Sequence, residues 1–161
     1  MLLIFIVGWL ANDSYSIMQI QMPNVVEKAK DFTTIFHGLP EKPSPADRIA
    51  EQQIKVLPDK VIIEVPNAKW ATFTPTSSMA PTLDQGANAI QIIPKTPDDI
   101  KVGDIVSYVW KDGTTIIHRV IKTGNDENGW YAILKGDNIQ NPDPEKVRFE
   151  QIKKVAVAII Y

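Results

Sequence analysis

Three hydroxyls stand together in TPTSSMAPTLDQG, the stretch from Thr74 to Gly86: Thr76, Ser77 and Ser78, fenced by Pro75 and Pro81 and followed by Met79. A hydroxyl at its ordinary pKa is a poor nucleophile. To attack a carbonyl it needs a base for its proton and donors for the oxyanion that forms. The prolines fix φ on both sides and hold the segment as a defined loop, which can present a nucleophile without burying it in helix or sheet. The same residues also suit a polar turn whose Ser and Thr hydroxyls satisfy their own backbone. Taken alone, the stretch does not rank its three hydroxyls.

The candidate base is His118, in TTIIHRVI. Strand alternation puts Ile116, His118 and Val120 on one face and Ile117, Arg119 and Ile121 on the other. Apolar neighbours disfavour the charged imidazole, and a neutral imidazole can act as a general base; a satisfied core histidine is the competing role. The acids Asp137 and Asp143 lie in KGDNIQNPDP. One of them can accept the second imidazole N–H and fix its tautomer while the other braces the loop through backbone amides. Each also fits as an ordinary turn former. One His with two Asp matches a metal facial triad as well. No second His stands near the acids and there is no His-x-x-x-His spacing, so neither a metal nor another cofactor is expected.

These residues need a scaffold, and the chain supplies a β one. HGLPEKPSPAD is rich in breakers and marks residues 23–43 as linker-like. Ser44 then reads as an N-cap with Pro45 at the first helical position, predicting a short helix to about Glu51. Beyond it the period changes to two. Ile54 and Val56, then Val61, Ile63 and Val65, alternate around Pro58-Asp59 as a hairpin. Further strands are expected over Ala89 to Ile93, Asp104 to Trp110, Thr114 to Lys122, WYAILK and Val147 to Tyr161. Asp112-Gly113 makes a tight turn, because such a pair tolerates positive φ, and NDENG makes another. The expectation is a mostly β chain: a twisted antiparallel domain over residues 44–161 with a short N-terminal helix and arm.

The 161 residues suffice for one domain with a real core. A net charge of -2 and scattered basic residues argue against nucleic acid as a partner. The absence of cysteine excludes thiol nucleophiles, disulfides and thiolate metal sites. Met1 to Leu10 is uninterruptedly apolar but shorter than the roughly 20 residues that span a bilayer. The reading favoured here is a clipped or shortened membrane anchor within residues 1–22, against an interfacial anchor or a buried strand or helix end. A cleaved signal peptide fits less well, since no basic residue precedes the run and no small-x-small site clearly follows it.

Taken in order, the boxes over residues 70–161 resemble the signal peptidase I family, in its archaeal and endoplasmic reticulum branch. SSMAPTLDQG resembles the nucleophile box, DIVSYVW the strand after it, HRVI the general-base box, and KGDN with NPD the acid box. The bacterial branch has a lysine where this chain has His118. The resemblance implies a β domain of the signal peptidase and LexA type. It implies that Ser78 attacks the scissile carbonyl, that His118 takes and returns the proton, that Asp143 orients His118, and that Asp137 is an essential support, with the two acids open to exchange. Thr76 would join the Ser78 N–H in the oxyanion hole. The implied substrates are the signal peptides of secretory preproteins, held as an extended strand with small side chains in shallow pockets, at a membrane and on its extracytoplasmic side. Ser77 stands where the family usually has glycine, and Ala87 where it usually has an acid. Two other readings stay open: a self-cleaving LexA-type protease with Lys122 or Lys135 as base, and a noncatalytic relative that binds extended peptides.

Overall fold

The computed structural model describes Lys42–Tyr161; the anchor and most of the linker expected above lie outside the described residues. The expected antiparallel β architecture is present. Among the described residues nine strands form two sheets. β1 (Ile54–Val56) and β2 (Val61–Ile63) make a hairpin with Ile54 opposite Ile63. The other sheet has seven strands: β3 (Lys69–Thr72), β4 (Asn88–Ile92), β5 (Ile105–Val109), β6 (Thr115–Asp126), β7 (Gly129–Lys135), β8 (Val147–Arg148) and β9 (Ile152–Ile160). Its spatial order is β3-β4-β9-β5-β6-β7-β8. The final strand in sequence therefore lies between β4 and β5, pairing Gln91 with Ala156 on one side and Ser107 with Lys154 on the other.

β5 and β6 are joined at Asp112-Gly113 as expected, with Trp110 N–H donating to Thr114 O and the Asp112 carboxylate accepting from Thr114 N–H. Alternation sorts the side chains between two clusters. Val106, Tyr108, Val120, Leu134, Val147 and Val155 fill the larger, with Ile116 packed against it. Met79, Leu83, Ala87, Ile105 and Ala156 form the smaller, against which Phe73 and Ile117 pack. The predicted split of Ile116 from Ile117 is thus present.

Two expectations are corrected, and one unexpected strand appears. No helix runs from Ser44 to Glu51; only Glu51–Gln53 makes a 3-10 turn. The preceding residues are held by tertiary contacts that override the capping pattern. Arg48 pairs with the buried Asp104, whose carboxylate also accepts from Ala46 N–H, and Arg119 donates to Pro43 O at 3.1 Å. Gly103, at φ +101, allows this close crossing, since a Cβ there would lie 1.9 Å from Ser44 O. The second correction is that Val147 to Tyr161 is two strands, broken by a 3-10 turn at Phe149–Gln151. The unexpected strand is Lys69–Thr72, at an edge, which the sequence does not announce because its length and composition give no clear period.

Candidate active site

The Thr76–Ser78 cluster lies on the loop that joins β3 to β4. That loop is pinned from below by Met79, Leu83 and Ala87, all buried in the smaller cluster, and by Leu83 N–H donating to Met79 O. The Ala80–Pro81 peptide is cis and Ser77 has φ +56. Thr76 and Ser77 are exposed and Ser78 is half-buried. Ser78 Oγ lies 3.3 Å from Thr76 Oγ1.

His118 comes from the middle of β6 and is buried. Its Nδ1 lies 2.9 and 3.0 Å from the two Asp143 oxygens. A carboxylate only accepts, so Nδ1 carries the proton and a neutral ring leaves Nε2 as a bare acceptor. Asp143 is held in turn, accepting from Tyr108 Oη–H at 2.7 Å and donating its own N–H to Leu134 O. Burial, with Asp143 alongside, pushes the Tyr108 hydroxyl far above its ordinary pKa, so it stays a protonated donor.

Asp137 has a different place. It is turned onto Arg119, taking Nε–H at 2.8 Å and Nη2–H at 2.7 Å, and it also accepts from the Thr82 hydroxyl. Burial raises its carboxyl, but Arg119, Thr82 and Lys42 pull it down further, and the net is below the ordinary range. Because Asp137 faces Arg119 instead of His118, the facial triad lacks its third ligand. What Asp137 does is clamp. Together with Asn138 N–H donating to Ser78 O at 2.9 Å, and Asn138 Nδ2 to Ser77 O at 3.1 Å, it fastens the acid loop to the hydroxyl loop.

Gly136 lies at the junction. A Cβ there would be 2.6 Å from Ser78 O and 3.0 Å from His118 Nε2, so a hydrogen at this position lets the base and the hydroxyl loop approach one another. Ser78 and His118 line one groove of about 690 Å³, together with Thr76, Phe73, Ile117 and the bonded pair Gln91 and Ser107. Among the described residues Ser78 Oγ bonds Thr76 and makes no hydrogen bond to His118. Catalytic contacts of this kind often tighten only around substrate. The arrangement offers a hydroxyl, a bare imidazole nitrogen and an orienting acid beside one open groove. Lys122 and Lys135, the bases of the LexA-type alternative, do not line that groove.

Sequence reasoning missed Tyr108, Gly136 and the partner of Arg119. For Arg119 a signal existed, a charge inside an otherwise apolar strand. Comparison with family models, with curated proteins and with solved structures returned no match.

Proposed function

We propose that the protein is a serine endopeptidase of the signal peptidase I type, in the His-base branch, which removes signal peptides from secretory preproteins at a membrane, with this domain on the extracytoplasmic side. The observation that carries the reading is the pairing of His118 Nδ1 with Asp143 while Nε2 faces the Gly136 junction beside Ser78. The apolar run Met1 to Leu10 supports the membrane. Among the described residues no helix is long and apolar enough to cross one.

In this mechanism a peptide lies extended in the groove. Among the described residues β3 is an edge strand, and Ala71 and Thr72 line the groove, so the backbone of that edge can pair with a substrate strand. Ser78 Oγ attacks the scissile carbonyl carbon and its proton passes to His118 Nε2. The oxyanion is met by the Ser78 N–H and the Thr76 hydroxyl. Collapse breaks the C–N bond, the imidazolium returns the proton to the leaving amine, and an acyl ester remains on Ser78. Water, deprotonated by His118, then releases the acid and restores the hydroxyl.

A purified protein incubated with a peptide spanning a signal-peptide junction should cut it after a small residue, read by mass spectrometry. Ser78→Ala and His118→Ala should each lower kcat/KM by at least about a thousandfold. Cleavage that survives Ser78→Ala refutes the proposal. A second reading, a noncatalytic binder of extended peptides, draws on the missing Ser78–His118 hydrogen bond. It requires peptide binding that is unchanged in Ser78→Ala, with no turnover at any pH.

A further inference from the structure

Behind the orienting acid stands a residue that the proposed chemistry does not itself require. Tyr108, on β5, is 1% exposed and sits within the larger core cluster. Its ring meets Trp110 edge-on at 6.3 Å and is tilted against His118 at 6.4 Å between centroids. A phenylalanine would fill the same space. The hydroxyl instead points at Asp143 and gives it a 2.7 Å hydrogen bond on Oδ2, the oxygen that also lies 3.0 Å from His118 Nδ1. Two donors on two strands thus share one carboxylate, whose residue comes from the flexible-looking sequence IQNPDP.

We propose that Tyr108 is a positioning residue of the site: its hydroxyl fixes the plane of the Asp143 carboxylate and disperses its charge, so that Asp143 holds His118 in the Nδ1–H tautomer without gripping the imidazolium too tightly. The inference rests on the endopeptidase reading for its catalytic consequence, but its physical core concerns only the three side chains.

Charged and polar groups flank the ring on several sides, Asp84 across the groove among them. On the Nδ1 side stand Asp143 and Tyr108. On the Nε2 side is the Ser78 loop at Gly136. Arg119 and Asp137 neutralise one another on the opposite face of β6, and Lys153 and Lys154 line the same groove as His118. Of these, only Tyr108 donates to the carboxylate that His118 uses. Removing its proton donor concentrates negative charge on Asp143 and strengthens its attraction for a protonated ring.

The test is Tyr108→Phe in the full chain, with two readouts. By NMR, the His118 Nδ1 proton should move downfield, as expected when the carboxylate that accepts it is no longer shared with a second donor. In peptide cleavage, the acid limb of the pH–rate profile should move to higher pH, with kcat reduced and KM unchanged. A folded Tyr108→Phe protein whose Nδ1 proton keeps its wild-type NMR position and whose acid limb stays in place overturns the inference. Should Tyr108→Phe fail to fold, 3-fluorotyrosine placed at position 108 keeps the shape and makes the hydroxyl a stronger donor. It should move the acid limb the opposite way, and a limb that does not move overturns the inference. If the Nδ1 proton responds as expected while neither protein cleaves any peptide, the positioning role stands and the endopeptidase reading falls.

Discussion

At φ +56, Ser77 occupies the left-handed region, where a Cβ costs roughly 1 kcal/mol or more. This is the position at which the resembling family usually has glycine, and the backbone supplies the reason: the turn that directs Ser78 toward the groove needs that conformation. Ser77→Gly should therefore raise stability by about 0.5 kcal/mol, after allowing for the extra freedom glycine gains when unfolded, and Ser77→Val should lower it, both measured by thermal melting. Ala87 has a packing explanation as well. It is buried beside Met79 and Leu83, where a carboxylate would be desolvated. Most residues of the candidate site were legible in the chain, because a Ser between prolines, a His in an apolar strand and acids in a turn loop each carry local chemistry. Tyr108 was not legible. A tyrosine in an apolar strand looks like core, and its hydroxyl's partner lies on a distant loop.

Between elements, the Arg119–Asp137 pair is the main fastener, joining β6 to the acid loop and, through Thr82, to the hydroxyl loop. Both side chains are almost wholly buried, so removing one strands the other's charge. Arg119→Ala should cost about 3–5 kcal/mol in denaturant unfolding. Lys55→Ala, which breaks the exposed pair with Glu64, should cost less than about 1 kcal/mol. The acid carries a pH signature. Its folded carboxyl lies below the ordinary 3.8, so Asp137 contributes stability above that value and loses it as the pH falls through the lower folded value. Asp137→Asn should flatten the acid arm of the stability curve below pH 3.8, checked by unfolding at a series of pH values. Element type was largely readable, since alternation and turn pairs are local. The helix expected at Ser44 failed for the opposite reason: its capping pattern is local, while the Arg48–Asp104 and Arg119–Pro43 contacts that hold the segment extended are not.

On the scale of the molecule, the hairpin β1–β2 stands apart from the seven-stranded sheet, with Val56 76% exposed and Val61 58%. A surface of this kind contributes little to the core. Val56→Thr with Val61→Thr should change stability by less than about 0.5 kcal/mol, read by chemical unfolding. The position of β9 could not be read from the sequence, because strand order in a sheet depends on long-range pairing that no local pattern encodes. Yet it decides how the strands that carry the site are joined. Ser78 follows β3 on one side of β9, and His118 belongs to β6 on the other. Among the described residues β9 alone pairs with both strand groups, and the Arg119–Asp137 clamp and the Asn138 contacts fasten their loops to one another. The last described strand is thus the seam of the sheet: the strands beside Ser78 and the strands beside His118 share a backbone ladder only through it.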